Sequence, residues 1–209
     1  MQDIIVLDHD GVIADSLDTV VSLFNRIGDK YGLEDVKSRE EFVKLFDNNF
    51  FDSLKERGFS EQRLKELNED IQKNLSDEAK DIDPFPGIGK VLKELSRDHK
   101  MMVVTSNMSY VVREFLKHHE VDHIEKILGA DHSESKVEKI GSIRSEYPDA
   151  QVYYIGDTAG DIKEGREAGA TTIAATWGFH SREKLEQASP DHMVDAPEEI
   201  LEIFNKKKN

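Results

Sequence analysis

Four short apolar segments, separated by sequence typical of helices, constrain the fold more than any other feature of this chain. The segments are Ile4–Leu7, Met101–Val104, Val152–Ile155 and Thr171–Ala175. Each is four or five residues long, and most are rich in valine and isoleucine. Short apolar runs that alternate with helices are typical of buried strands in a parallel sheet that carries helices on both faces. The pattern therefore predicts an α/β fold with a doubly wound parallel sheet.

Helix signals occur between these segments. In Ile88–Leu95 and Val111–Leu116 the apolar residues recur at three- and four-residue spacing, which favours amphipathic helices. Ser38–Glu41 and Ser135–Glu138 have the capping-box pattern, in which a hydroxyl and a carboxylate satisfy backbone N–H groups at a helix start. Each pattern predicts a helix at its position.

The stretch after the first apolar segment breaks the alternation, because it contains no strand-like run. It carries helical segments instead, such as Val20–Ile27 and Phe42–Phe46. We interpret it as an all-helical cap domain, residues 15–83, inserted into a Rossmann-like α/β core domain of residues 1–14 and 84–209.

Composition excludes several kinds of protein. The 209-residue chain has no cysteine, which excludes disulfides, thiolate metal sites and a cysteine nucleophile. Its net charge of −15 argues against nucleic-acid binding. The charge does not argue against a phosphorylated substrate, because one buried lysine and a bound cation can reverse the sign inside a pocket. No apolar run approaches the roughly 18 residues that span a bilayer, and the N-terminal residues lack the basic region of a signal peptide. We expect a cytoplasmic protein that binds neither nucleic acid nor membranes, as a monomer or a homodimer.

Polar residues follow the first apolar segment directly. In open parallel sheets ligands bind at the carboxyl ends of strands, so such positions should converge. Asp8 and Asp10 are two residues apart and point to the same side, where they repel each other unless a cation or a proton intervenes. One could attack phosphorus or bind Mg²⁺ while the other acts as acid and base. Gly11 would let the backbone approach a ligand closely, although a solvated turn would also explain these residues.

Two further clusters carry groups suited to an anion. Thr105, Ser106 and Asn107 follow the second segment and offer a hydroxyl and free N–H groups at the entry of a helix. Ordinary helix capping is the alternative. Lys136 lies in the first turn of a predicted helix, where it opposes the helix dipole and favours an anionic partner. A solvated surface lysine is the alternative, and Lys139 could compete for the role.

The fourth cluster follows the third apolar segment. Asp157 and Asp161 add two acids at a strand end, and Mg²⁺ prefers such oxygen ligands. Thr158 and Asp161 also have capping-box spacing, and capping and function need not exclude each other. A carboxylate pair, a hydroxyl, a lysine and a second carboxylate pair thus follow one another at four strand or helix termini.

This ordered set resembles the haloacid dehalogenase-like hydrolase superfamily. The matching motifs are L-D-H-D-G-V-I-A-D-S (7–16), V-V-T-S-N (103–107), S-K-V-E-K-I (135–140) and Y-I-G-D-T-A-G-D-I (154–162). The segment A-A-T-W-G-F-H-S (174–181), followed by S-P-D-H (189–192), is similar to the phosphoglycolate phosphatase branch. The helical insert stands where that family has its helical cap.

The resemblance implies a Mg²⁺-dependent phosphatase that hydrolyses a small phosphomonoester, phosphoglycolate-like or a sugar phosphate, through an aspartyl-phosphate intermediate. Asp8 would be the nucleophile, and Asp10 the acid and base. Mg²⁺ would be bound by the carboxylates of Asp8 and Asp157 and by the backbone carbonyl of Asp10. The groups that would hold the phosphoryl oxygens are Gly11, Thr105, Ser106, Asn107 and the catalytic Lys136. Asp161 would orient the groups around the metal site without binding the metal directly.

Two positions depart from the family pattern. Val12 stands where phosphatases of this family often have threonine, and His9 replaces a usually apolar residue between the two acids. We expect His9 to be packed or hydrogen-bonded. A titratable ring there could also make activity pH-dependent near neutrality, a hypothesis that an unchanged pH profile in H9L would dispose of.

Other functions fit parts of the pattern. A mutase of the β-phosphoglucomutase type would pass the phosphoryl group to a second sugar hydroxyl rather than to water. A non-catalytic phosphate-binding module of the receiver type also uses acids, threonine and lysine at strand ends, but it has no helical cap. Dehalogenases and phosphonatases lack an acid at the position of Asp10. The cap segment Asp47–Phe51 could face the site and contribute to substrate choice.

Overall fold

The computed structural model describes residues 2–47, 50–78, 81–121, 123–132 and 135–205. In chain order the strands are β1 (Ile4–Leu7), β2 (Lys100–Val104), β3 (Lys126–Leu128), β4 (Val152–Gly156), β5 (Thr171–Ala175) and β6 (His192–Val194). The helices before β2 are α1 (Leu17–Ile27), α2 (Arg39–Val43), α3 (Phe50–Glu56), α4 (Glu61–Glu78) and α5 (Ile88–Leu95), with 3₁₀ turns at Gly28–Tyr31 and Lys44–Phe46. After β2 follow α6 (Ser109–His118), α7 (Lys136–Glu146), α8 (Ala159–Glu167), α9 (Arg182–Gln187) and α10 (Glu199–Asn205).

The described strands form one six-stranded sheet with the order β3-β2-β1-β4-β5-β6. Every neighbouring pair is parallel. The chain builds outward from β1 on one side and then outward from β4 on the other, so the strand order reverses between these two central strands. Such a switch point opens a crevice at the carboxyl ends of the strands. The predicted fold class is confirmed.

The prediction of strands was right in the interior of the sheet and incomplete at its edges. All four predicted strands form, and β1 and β5 have the predicted bounds. The edge strands β3 and β6 were missed. They have three residues each and carry polar side chains such as Lys126 and His192, so neither stands out as an apolar run.

Helices cover both faces of the sheet. Along β1, Ile5 and Leu7 belong to one buried apolar cluster, and Ile4 and Val6 belong to a second one. Alternate residues of a strand point to opposite faces, so the two clusters are the two sides of the sheet. All four residues of β1 are buried, which explains why its sequence is continuously apolar.

The helical insert, which we call the cap, packs around an apolar cluster of its own that runs from Leu17 to Leu75. The two chain segments that join cap and core lie side by side. The Asp15 N–H donates to the Asp83 carbonyl at 2.9 Å, and the Phe85 N–H donates to the Ile13 carbonyl at 2.9 Å. These contacts support the boundaries at residues 15 and 83, which stay a prediction.

Helix starts follow the sequence signals closely. Both predicted capping boxes are present: Ser38 with Glu41 begins α2, and Ser135 with Glu138 begins α7. The segment predicted as helix over Phe42–Phe46 lies partly in α2 and continues as a 3₁₀ turn. None of the helices in the described part of the chain combines the length and apolar character needed to cross a bilayer.

Candidate active site

The sequence-predicted site residues converge on one cavity at the carboxyl ends of the central strands. Because Leu7 pairs with Ile155 across β1 and β4, the acids that follow these strands are neighbours. The cavity between core and cap is lined by Asp8, Asp10, Thr105, Ser106, Asn107, Lys136, Asp157 and Asp161. Gly11 lies against Asp157: a Cβ on Gly11 would meet the Asp157 Oδ2 at 1.9 Å, and its φ is +78°. No other residue type fits there.

Lys136 lies between two of the acids. Its Nζ donates to Asp8 Oδ2 at 2.6 Å and to Asp161 Oδ1 at 2.7 Å, and the side chain is only 10% exposed. Burial opposes its charged form, but Asp161 and Asp8 together hold the pKa of the Lys136 ammonium well above its ordinary value. The competing Lys139 donates instead to the Gly129 carbonyl at 2.7 Å and is not among the residues that line the cavity.

Asp161 is held by hydrogen bonds to both of its carboxylate oxygens. Oδ1 accepts from the Tyr154 hydroxyl at 3.0 Å, and Oδ2 accepts from the Thr158 N–H and hydroxyl at 3.1 and 2.6 Å. Burial raises the pKa of Asp161, but Lys136 outweighs it and the net pKa is lowered. Thr158 also caps α8 in a capping box with Asp161, so this acid caps a helix and positions Lys136 at once. The role of Tyr154 was missed, because the sequence presents it only as a strand residue.

We expect Tyr154→Phe to lower the free energy of unfolding by about 1 kcal/mol, the usual loss when a buried acceptor loses a donor. The reason is that the Tyr154 hydroxyl is one of the donors that satisfy buried Asp161. Urea unfolding measures the change. Tyr110→Phe is the matched control, because Tyr110 is 50% exposed and should stay within about 0.5 kcal/mol of wild type. Equal stability of both variants would contradict the assigned hydrogen bond.

Asp8 and Asp157 are the two acids of the site whose pKa values are raised above the ordinary range. Burial, then repulsion by Asp161 and Asp10, raises the pKa of Asp8 to about 7, although Lys136 opposes the rise. Burial, then Asp161 and Asp8, raises the pKa of Asp157 well above its ordinary value. The oxygens of Asp8, Asp157 and Asp161 come within 4.8 Å of one another. This crowding of hard oxygen ligands fits a divalent cation, which would relieve the repulsion.

Asp10 has a different environment from Asp8. Its Oδ2 accepts from Asn107 Nδ2 at 3.4 Å, and His9 Nδ1 lies 3.3 Å from the same oxygen. Burial alone would raise the pKa of Asp10, but His9, Ser16 and Asn107 lower it. The His9 ring is buried and packs edge-on against Phe115, with ring centroids 4.8 Å apart. The pKa of Asp8 is therefore raised and that of Asp10 lowered, so the two neighbouring carboxylates differ in how readily they hold a proton.

Thr105 does not cap the helix that follows it. Helix α6 begins after Met108, whose N–H donates to Asn107 Oδ1 at 2.8 Å. The Ser109 N–H donates to Asp131 at 2.7 Å, a capping role the sequence analysis missed. The buried Thr105 hydroxyl accepts from the Asn107 N–H at 3.1 Å and lies on the cavity wall, where Ser106 is exposed.

The loop after β5 contributes groups that sequence reasoning also missed. The Phe179 N–H donates to Asp157 Oδ2 at 2.7 Å, and a Cβ on Gly178 would meet the same oxygen at 2.3 Å. The buried His180 ring accepts from the Ala159 N–H at 2.9 Å, and its other nitrogen lies 3.2 Å from the Val43 carbonyl in the cap. This loop therefore orients Asp157 and touches the cap.

The cap side of the cavity is mostly apolar. Phe50 and Phe51 from the predicted segment Asp47–Phe51 line it, whereas Asp47 pairs with Lys184 at 2.8 Å outside it. Asn48 and Asn49 of that segment lie outside the described residues.

Comparison with known proteins agrees with this geometry. The family model described as haloacid dehalogenase-like hydrolase matches residues 5–175. A phosphoglycolate phosphatase from Synechococcus elongatus is 27% identical over 202 residues, which cover 95% of each chain. A pyrophosphatase PpaX from Bacillus cereus is 21% identical over 210 residues, covering 96% of this chain and 95% of that protein. A haloacid dehalogenase-like family hydrolase from Streptococcus pneumoniae superposes with a TM-score of 0.79 at 23% identity, covering 97% of this chain and 98% of the other.

Proposed function

Because the chain belongs to the haloacid dehalogenase-like hydrolase family and is a phosphatase within it, we propose that it hydrolyses a small phosphomonoester through an aspartyl-phosphate on Asp8. One observation carries this proposal. The buried Asp8 carboxylate ends β1 inside the cavity, with its Oδ2 at 2.6 Å from Lys136 and with Asp10 on the same wall. The Lys136 ammonium offsets part of the rise that burial causes in the pKa of Asp8, and it thereby favours the ionised carboxylate, the form that attacks phosphorus.

In the first step an Asp8 oxygen forms a bond to phosphorus as the bond to the leaving alcohol breaks. Asp10 gives the departing oxygen its proton. The low pKa of Asp10 in the free enzyme favours the ionised form, but a phosphoryl dianion nearby would raise that pKa and supply the proton when it is needed. Lys136 would hold the transferring oxygens against their charge.

In the second step water attacks the phosphorus of the aspartyl-phosphate. Asp10, now ionised, removes a proton from that water, and Asp8 is released with inorganic phosphate. The cap lies over the cavity in this structure, since Gln72 of α4 accepts from the Met108 N–H at 3.3 Å. A covering cap excludes water from the first step, and its reopening would admit water for the second.

The phosphoryl group would be held by several neighbouring groups. The Thr105 hydroxyl and the Ser106 and Asn107 segment line the same wall as Asp8. Gly11 is not among the residues that line the cavity, and the space beside its Cα is taken by the Asp157 carboxylate. The positions of Thr105, Ser106 and Asn107 support the substrate-binding roles that the sequence predicted.

We propose Mg²⁺ as the cation, held by the carboxylates of Asp8 and Asp157 and by the backbone carbonyl of Asp10. Asp161 is a poorer ligand because its oxygens already accept from Lys136, Tyr154 and Thr158. It supports the site by holding Lys136. Bound Mg²⁺ would offset charge on the phosphoryl oxygens, as it does in phosphoryl transfer generally.

Mg²⁺ affinity should rise steeply with pH. Without metal the pKa of Asp8 is raised to about 7, whereas a cation binds only the ionised carboxylate, so binding displaces a proton at lower pH. Below that pKa we expect the apparent dissociation constant to increase about tenfold per pH unit for each proton displaced. Calorimetric titration of the protein at pH 6 and pH 8 measures it. Equal affinity at the two pH values would show that Asp8 is not a ligand.

A substrate panel tests the reaction itself. Phosphate release from p-nitrophenyl phosphate and from small phosphomonoesters would be followed with Mg²⁺ and with EDTA. We expect release with Mg²⁺ that EDTA abolishes. Interconversion of sugar phosphates without phosphate release would identify a mutase instead. Binding of phosphate without any turnover would identify a non-catalytic module.

A further inference from the structure

The cap side of the cavity differs in chemistry from the core side, where Asp8 would receive the phosphoryl group. The cap side would therefore face the leaving group. Six phenylalanines line the cavity, namely Phe24, Phe42, Phe46, Phe50, Phe51 and Phe179. The first five come from the cap and the sixth from the loop after β5. These rings and the acids of the site line one cavity, which opens to solvent.

Four of these rings are not part of a closed core. Phe46, Phe50, Phe51 and Phe179 are only half-buried, although they pack against the cap cluster. Phe46 stacks on Phe50 with centroids 5.3 Å apart, and it meets Phe179 edge-on at 5.5 Å. Phe50 meets Phe51 edge-on at 5.3 Å. All four line the cavity, and aromatic faces and edges bind another ring favourably.

Among the described residues, the side chains that line this cavity offer no second cation to pair with another negative charge on a substrate. Among the lining residues that the structure describes, Lys136 is the one cation, and it is already held between Asp8 and Asp161. Five acids share the lining with it, including Glu164 beside the four aspartates. A carboxylate or a second phosphate on the leaving group would be desolvated beside these acids, which is costly without a paired cation.

The polar groups on the cap wall are neutral. Asn68 and Gln72 lie one turn apart on α4, and both line the cavity. Gln72 already accepts from the Met108 N–H. Two amides can orient a hydroxyl or an ether oxygen, but they do not supply the charge that a carboxylate needs.

We propose that the substrate is a phosphomonoester of an uncharged alcohol that carries an aromatic ring, and that the ring binds against Phe46, Phe50, Phe51 and Phe179. This rests on the phosphatase chemistry proposed above and adds the class of leaving group. Hydrolysis forms the bond from Asp8 to phosphorus, breaks the bond from phosphorus to the alcohol oxygen, and gives that oxygen the Asp10 proton. Water then releases inorganic phosphate.

Matched esters test the proposal. We would compare kcat/KM for 2-phenylethyl phosphate, glycerol 3-phosphate and 2-phosphoglycolate, with pyrophosphate as the compound whose leaving group is itself a phosphate. The three esters all derive from primary alcohols, so chemical activation does not favour the aromatic one. We expect kcat/KM for 2-phenylethyl phosphate to exceed that for glycerol 3-phosphate by at least about tenfold, the scale of apolar discrimination in a pocket. It should exceed kcat/KM for 2-phosphoglycolate and pyrophosphate, whose leaving groups carry a negative charge, by more.

A charge placed on the cap wall gives the sharper comparison. Asn68→Lys adds a cation beside the aromatic rings on a half-buried polar position of α4. We expect it to raise the kcat/KM ratio of 2-phosphoglycolate to 2-phenylethyl phosphate by about tenfold, because the carboxylate gains a partner. Gln62→Lys adds the same charge to the same helix at an exposed position that is not part of the cavity lining, and it should leave the ratio unchanged.

The outcomes separate the two proposals. If wild type prefers 2-phosphoglycolate, pyrophosphate or glycerol 3-phosphate, the aromatic class is wrong and the phosphatase mechanism stands. An equal shift in both lysine variants would show that net charge, not the cavity wall, sets the preference, which also overturns the proposal. No phosphate release from any compound would overturn the proposed function, and the substrate class with it.

Discussion

Asp8→Asn is expected to lower kcat for phosphate release by at least about 10⁴-fold, the scale of losses when a nucleophile is removed from a concerted site. An amide oxygen is a poor nucleophile and cannot form the aspartyl-phosphate. The variant should fold. The pKa of Asp8 is raised to about 7 in the folded protein from its ordinary value of 3.8, so its ionisation costs stability as pH rises from about 4 to 7. Above pH 7 the neutral asparagine should therefore be at least as stable as wild type in urea unfolding.

Asp10→Asn is the companion variant, because it separates the two steps. With p-nitrophenyl phosphate the leaving group needs no proton, so Asp8 should still be phosphorylated while the attack of water slows. Intact-mass measurement after acid quench should then detect one added phosphoryl group in this variant, and none in Asp8→Asn. Residual turnover of Asp8→Asn within tenfold of wild type, or a phosphoryl group on it, would mean that another residue is the nucleophile.

The central strands of the fold could be predicted because a strand that is buried on both faces is apolar at every position. Central strands such as Ile4–Leu7 are buried on both faces, so every position is apolar and the run has clear ends. The edge strand Lys126–Leu128 has a neighbour on one side only, and its first two residues are half-buried. Nothing requires such a strand to be apolar throughout, so hydrophobic pattern cannot identify it.

The acids of the site could be predicted for a geometric reason. Asp8 and Asp157 are far apart in sequence, but each follows a buried strand, and parallel strands bring their carboxyl ends to one edge. What surrounds the acids could not be predicted in the same way. The backbone N–H of Phe179 donates to Asp157, 22 residues earlier in the chain. Almost every residue type has a backbone N–H, so the sequence does not mark this donor.

The aromatic wall shows a second limit of sequence reasoning. Phe46 and Phe50 have helical spacing, which predicts only that they share a face. Whether that face closes the cap's own core or fronts a cavity depends on how the cap is seated on the core. Contacts such as His180 with the Val43 carbonyl and Gln72 with the Met108 N–H set that arrangement, and each joins positions more than 30 residues apart.

Lys136→Met should lose both activity and stability, and the loss of stability should depend on pH. We expect kcat/KM to fall by about 10³-fold, because a preorganised charge on the transferring oxygens is removed. The free energy of unfolding at pH 8 should fall by about 3 kcal/mol or more, since Asp8 and Asp161 would share a buried site without their cation.

The pH dependence follows from which groups change their pKa. In wild type burial would raise the pKa of Asp161, but Lys136 outweighs burial and the pKa is lowered. The contribution of Asp161 to stability is therefore present above its ordinary pKa and is lost as pH falls through the lowered pKa. Lys136 has a raised pKa, so its contribution persists at all pH values below its ordinary one. Without the ammonium the pKa of Asp161 should rise. The deficit should then grow as pH rises from about 4 to 8.

Lys139→Met is the control, because it removes the same charge three residues along α7, from a side chain bound to the Gly129 carbonyl. It should keep wild-type kcat, and its stability loss should grow less with pH than that of Lys136→Met, because Asp8 and Asp161 keep their ammonium partner. Urea unfolding of both variants at pH 5 and pH 8, with and without Mg²⁺, decides between the alternatives. Mg²⁺ should restore part of the lost stability only in Lys136→Met, because a cation among the three aspartates then takes over the compensation that the ammonium provided. Equal losses at both pH values, or no recovery with Mg²⁺, would mean that Lys136 is not what balances the charge of these acids.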